Sequence, residues 1–156
     1  MVIVGIDPGL RGGWARLDMA GDLIKAGRMP VRIYGGRKAN SIDAKALYNS
    51  LRMPFKHSRE TIGVIESVHA MPAQGVTSSF TFGASFSAAL TLLDIVCWVS
   101  PYLVTPQVWK KHFDLKGKNK RGSLELCAEL WPTGGAAEVE WGVLANEGVA
   151  EAALIA

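Results

Sequence analysis

The chain has 156 residues, 49% hydrophobic and 20% charged, a balance that excludes a disordered polyelectrolyte and suits one domain spanning residues 1–156 with its own core. Its two cysteines, Cys97 and Cys127, lie in apolar surroundings without CxxC spacing, which argues against a zinc site or a disulfide framework and for a reducing compartment. No basic, apolar leader opens the sequence and Asp94 interrupts the apolar run at 88–99, so the expectation is a soluble cytoplasmic protein without a membrane span.

In chain order, MVIVGID is a short β-branched run that suits a buried strand ending near Asp7, and PGLRGG is its turn. GGWARLDM and DLIKAGRMP read as two further strands joined at Ala20-Gly21-Asp22, so the chain opens with a three-stranded antiparallel meander. Residues 31–41 form a polar, Gly-containing connection carrying Arg32, Arg37 and Lys38, and Ser41 is expected to cap a helix running to about Leu51. TIGVIES is a second short apolar strand, and Glu66 is out of place near its end. The stretch 68–79 reads as a loop, followed by the helix FTFGASFSAALTLLDIV, whose small and apolar residues suit burial against a sheet or a surface shared between subunits. SPYLVT is a strand. Thr105 and Pro106 then take the N-cap and N1 positions of the helix TPQVWKKHF, another helix runs from about Lys120 to Trp131, and a last one holds Glu147 and Glu151. The order βββαβαβααα specifies an α/β fold around a mixed sheet.

Charge is distributed unevenly. Every Lys and Arg lies at or before Arg121, and the segment 109–121 holds Lys110, Lys111, Lys116, Lys118, Lys120 and Arg121 against the single acid Asp114. After Ser123 all charged side chains are acidic: Glu125, Glu129, Glu138, Glu140, Glu147 and Glu151. A basic segment followed by an acidic terminus points to a polyanion together with a metal ion, although a solvated loop and a solvated helix face would look the same.

Four of the acids stand where chemistry is done. Asp7 and Glu66 occupy the same end of two strands that can pair side by side, and strand ends are where α/β folds place ligands. Two desolvated carboxylates in proximity repel unless a cation shares them, and an all-oxygen donor set selects hard ions such as Mg²⁺ or Mn²⁺. Two such ions roughly 4 Å apart can clamp the attacking and leaving oxygens of a phosphodiester. Glu147 and Glu151, four apart and on one face of a helix, are candidates for the remaining ligands. Plainer readings stand beside this one: Asp7-Pro8-Gly9 can simply initiate a turn, and Glu147 after Asn146 can simply complement a helix N-terminus.

IVGIDPGLRGGWA resembles the first strand motif of RuvC-type Holliday junction resolvases, VIES their second acidic strand, and GVAEAALIA their terminal acidic helix; the three occur in order over nearly the whole chain. TPQVWKKHF, followed by basic residues and Ser123, is most similar to the bacteriophage branch of that family. The resemblance implies an RNase H-like fold, with a mixed five-stranded sheet, an antiparallel N-terminal meander and flanking helices. It also implies a homodimer and Mg²⁺-dependent hydrolysis of four-way and other branched DNA, with Mn²⁺ able to substitute and two ions per site. On the matching positions Asp7, Glu66 and Glu151 are catalytic metal ligands, and Glu147 takes the remaining place. The family often has an acid three residues before the last, where this chain has Gly148. Lys110 and Lys120 fall near positions that contact the scissile phosphate, the other basic residues of 110–121 would follow the DNA backbone, and His69 lies in the loop that probes the junction centre. Two further readings share the fold: a junction-binding protein without turnover, suggested by Asn146 and the acid spacing, and a YqgF-type nuclease acting on RNA.

Overall fold

The computed structural model describes residues 1–36, 40–52, 60–67, 69, 75–117, 121–132 and 143–156. Strands β1 (Val2–Asp7), β2 (Gly13–Asp18) and β3 (Leu23–Arg28) form the expected antiparallel meander, with Ile6 opposite Trp14 and Asp7 opposite Gly13. Two two-residue strands, β4 (Val31–Arg32) and β5 (Ser41–Ile42), follow as a small hairpin. After α1 (Ala44–Leu51) come β6 (Thr61–Glu66), α2 (Val76–Val96), β7 (Tyr102–Val104), α3 (Pro106–His112), α4 (Arg121–Leu130), a 3₁₀ turn at Val143–Ala145, and α5 (Glu147–Ile155). The main sheet has the order β3-β2-β1-β6-β7; β6 runs parallel to both its neighbours, so the sheet is mixed as expected.

The two faces of this sheet are covered differently. Val4, Ile6, Trp14 and Ile65 point to one side, where Leu47 and Leu51 of α1 and Ala89, Leu93 and Val96 of α2 close the core. Ala15 and Leu17 point to the other side and meet Val149, Ala152 and Ala153 of α5. A third cluster, Trp109, Leu115, Cys127, Ala150, Leu154 and Ile155, joins α3 and α4 to the outer flank of α5. Helix α5 is therefore packed on nearly all sides: every residue from Glu147 to Ile155 is buried except Glu147 and Glu151.

Three expectations change. Ser41 does not cap α1. It lies in β5, and the cap is Asp43, whose carboxylate accepts the N–H of Ala46 at 3.1 Å. The segment 31–41, read as a plain connection, is pinned at both of its described ends: β4 pairs with β5, Arg32 reaches Asp43 at 2.8 Å, and Asn40 exchanges two hydrogen bonds with the backbone of Tyr34. Helix α2 begins at Val76, four residues before the expected start, because Val76–Ser79 carry no breaker and Gly75 supplies an extended N-cap. By length and composition α2 would pass for a membrane-spanning helix, yet Ser85, Ala89, Leu93 and Val96 are buried on the protein. Its opposite side leaves Val76 and Phe80 87% and 78% exposed.

Helix α5 lies so close to β1 that a Cβ on Gly5 would stand 2.1 Å from the carbonyl oxygen of Ala152, where no real side chain fits. Gly5→Ala should cost at least about 3 kcal/mol by forcing the helix off the sheet. Urea unfolding measures it; a loss under about 1 kcal/mol would show that the helix can shift freely.

Candidate functional site

Strand geometry brings the first two acids together. The parallel register pairs Gly5 with Val64 and Ile6 with Ile65, so Asp7 and Glu66 follow at the same end of adjacent strands. Side chains alternate along a strand, so Asp7 shares the α5 side with Gly5, and Glu66 shares its side with Val64, which packs against the cluster of α3, α4 and α5. The turn after β1 folds tightly over Asp7: Gly9 donates its N–H to Asp7 Oδ1 at 3.2 Å, and a Cβ on Gly12 would come within 2.8 Å of the Asp7 carboxyl carbon. Asp7 thus does serve its own turn, as the plainer reading has it, with one oxygen only.

Helix α5 brings the other two. Gly12 and Gly148 form an isolated parallel bridge, and a Cβ on Gly148 would lie 2.4 Å from the Cα of Gly12. No side chain can occupy 148 in this arrangement. The acid that the family resemblance puts there is sterically excluded, and the nearest position that can carry one is Glu147. Asn146 also acquires a local role: its Oδ1 accepts the N–H of Val149 at 3.3 Å and caps the helix.

The charges of the other three acids all reach Asp7. Burial pushes its carboxyl from the ordinary 3.8 up to about 7; the Gly9 N–H opposes this, and the negative charges of Glu66, Glu151 and Glu147 add to the rise. Glu66, 7% exposed, is also raised, first by burial and then by Glu151, against the lowering effects of a Trp109 hydrogen bond and of Lys110. That bond runs from the Trp109 indole Nε1–H to Glu66 Oε1 at 2.9 Å. Lys110, the next residue of α3, places Nζ 3.1 Å from Glu151 Oε1 and 4.9 Å from the centre of the Trp109 ring.

The donors fit a hard divalent cation in kind. All are carboxylate oxygens, two of them poorly hydrated; burial does most to raise Asp7, and the negative charges of Glu66, Glu151 and Glu147, which add to the rise, would favour a cation there. Their spacing is not closed. Among the described residues no group of three or more His, Cys, Asp or Glu is drawn together tightly enough to hold an ion, and Glu151 is engaged by Lys110.

The remaining predicted contacts are spread over α3 and α4. Lys110 is turned inward to Glu151, whereas Lys111, Lys116 and Arg121 are exposed, as is His69. Lys118 and Lys120 lie outside the described residues. Beyond α3, Asp114 adopts a left-handed φ of 53° and Gly117 one of 79°, so the chain turns at both positions. An open groove of about 390 Å³ adjoins the Asp7 turn, lined by Gly9, Leu10, Arg11 and the hydroxyl-rich start of α2 at Thr77, Ser78 and Thr81. Neither this groove nor the Trp109–Glu66 bond is visible in local sequence. Trp109 reads as a core residue, which its burial bears out, while its partner is 43 positions away.

No family model matches the sequence, and no curated protein matches it. Among solved structures the chain is similar to RuvC from Thermus thermophilus, with a TM-score of 0.54 and 18% identity over 100% of this chain and 91% of that one. At this identity the likeness speaks for the fold, a RuvC-like α/β architecture over the full chain.

The folded protein keeps a proton on Asp7 that the unfolded chain has already released above pH 3.8, so stability falls as pH rises from about 4 to about 7 and stays low beyond. The rise of the Asp7 carboxyl to about 7 corresponds to at most ~4 kcal/mol. Asp7→Asn removes this effect and should melt roughly 5–10 °C above the parent at pH 8, with the gap closing toward pH 4. Thermal melts across that range decide it, and equal melting points at pH 8 would contradict the crowding of charge on Asp7.

Proposed function

We propose that residues 1–156 form one RNase H-like nuclease domain that cleaves branched DNA, four-way junctions above all, by metal-dependent phosphodiester hydrolysis. The observation that carries the reading is that three carboxylates, Glu66 of β6 and Glu147 and Glu151 of α5, act electrostatically on Asp7 of β1 in a chain with a RuvC-like fold. Asp7, Glu66, Glu147 and Glu151 would hold Mg²⁺, or Mn²⁺ in its place, with two ions per site. Bound there, such ions supply an activated water and offset charge on the leaving oxygen. The chain's own part is to hold the acids on rigid elements, to exclude water from Asp7 and Glu66, and to present a basic approach through Lys111, Lys116 and Arg121, extended in sequence by Lys118 and Lys120. Lys110, released from Glu151, would face the phosphate nearest the acids. His69, exposed beyond Glu66, would meet bases at the branch point.

The bacteriophage branch of the resolvases remains the best match to TPQVWKKHF, and a cytoplasmic setting follows from such a substrate. A homodimer is part of the reading, because a junction has two strands to cut and the outer side of α2 offers apolar residues, Val76, Phe80 and Ile95, that are exposed among the described residues. A second reading has a specific observation in its favour. The open spacing of the acids and the ion pair on Glu151 suit a junction-binding protein without turnover.

Nicking of synthetic four-way, three-way and linear DNA with Mg²⁺ and with EDTA separates these readings. The nuclease reading expects cleavage of the branched forms only, abolished by EDTA. It expects Asp7→Asn to lose at least about a thousandfold in rate while keeping junction affinity within roughly twofold. Cleavage by Asp7→Asn at the parent rate would end the assignment, and binding by the parent without cleavage in either metal would favour the second reading. Phe80→Glu should convert a dimer to a monomer in sedimentation; an unchanged species would remove α2 from the interface.

A further inference from the structure

Glu66 is a long, flexible side chain at the end of a strand, and the chemistry proposed above needs its carboxylate held within a fraction of an ångström. Burial alone does not do this. The indole N–H of Trp109 does, at 2.9 Å from Oε1. The ring itself is 3% exposed and gripped by Leu115, Cys127, Ala150, Leu154 and Ile155, so the donor has almost no freedom to follow a wandering acceptor. An indole offers one donor and no acceptor. Packing in this cluster asks only for an aromatic ring, and phenylalanine would provide it without a buried polar atom; the N–H is accounted for by Glu66.

The bond is also selective between the two carboxylate oxygens. It occupies one lone pair of Oε1, and Oε2 accepts no hydrogen bond among the described residues. On the next residue, Lys110 holds Glu151 in the same way from the same helix. Two consecutive side chains of α3 therefore grip one acid from β6 and one from α5.

We propose that Trp109 is a positioning residue: its indole N–H fixes Glu66 so that the free oxygen is presented to the cation, in the manner of hydrogen bonds that orient metal ligands from outside the coordination shell. The role rests on the nuclease reading above. Trp109→Phe keeps the ring and deletes the donor. It should weaken Mn²⁺ binding, followed by calorimetry on the intact chain without DNA, by about 10–100-fold. In four-way junction cleavage kcat should fall by a similar factor with KM unchanged. Leu115→Ala, which loosens the same cluster without touching Glu66, should lower the melting temperature yet bind Mn²⁺ as the parent does. If Trp109→Phe matches the parent in Mn²⁺ affinity, or if both variants lose it equally, the positioning role is overturned while the nuclease reading stands. A parent that neither binds Mn²⁺ nor cleaves would sink the nuclease reading and this role with it.

Discussion

The approach of α5 to the sheet is the constraint on which the rest of the molecule depends. Helices ordinarily pack on strands through a layer of side chains, and here that layer is missing at Gly5, Gly12, Gly13 and Gly148. Backbone meets backbone, close enough for Gly12 and Gly148 to pair as a bridge. The small residues of α5, Ala150, Ala152 and Ala153, belong to the same economy of space. Because the helix is sunk this far, its two glutamates come level with the ends of β1 and β6, and their charges reach Asp7. The same depth buries the flanks of α5 against α4 and α3, and so brings Trp109 and Lys110 within hydrogen-bonding distance of Glu66 and Glu151.

The electrostatic cost of the site falls on Asp7 and Glu66. Burial, with mutual repulsion behind it, pushes the carboxyls of Asp7 and Glu66 up, and Lys110 opposes the rise at Glu66 from the side. This is an arrangement that a stability criterion alone would not favour: a buried, underneutralised carboxylate weakens the fold as pH rises. Structures keep such groups where they are used, and strongly shifted acids in a cluster are a physical reason to look for chemistry there.

Much of this was legible in the chain. The β-branched runs of β1 and β6 announced strands, Glu66 stood out because a buried strand has no reason to carry an acid, and the four-residue spacing of Glu147 and Glu151 matched a helix that the structure contains. What the sequence left ambiguous has specific causes. Ser41 and Asp43 are both good caps, and the choice between them falls to the β4–β5 pairing and to Asn40, which lies before the start of α1 and bonds back to Tyr34. The start of α2 was read late because Val76–Ser79 are neutral in every local scale. Gly148 looked like a gap in a motif; only the position of Gly12 shows it to be a requirement. The partner of the Trp109 N–H is set by tertiary packing and has no local signature.

The pairing of α5 with β1 joins the first strand of the chain to its last described helix. A growing chain emerging from the ribosome can lay down the meander, β6 and even α3 while lacking Glu147 and Glu151 entirely. Contacts between such distant segments form late, since the loop they close is nearly the whole chain. Asp7 and Glu66 thus meet Glu147 and Glu151 only once α5 has been made, so that an incomplete copy carries the basic segment 109–121 but not the full set of carboxylates. For the nuclease proposed above, that order of synthesis would itself be a safeguard.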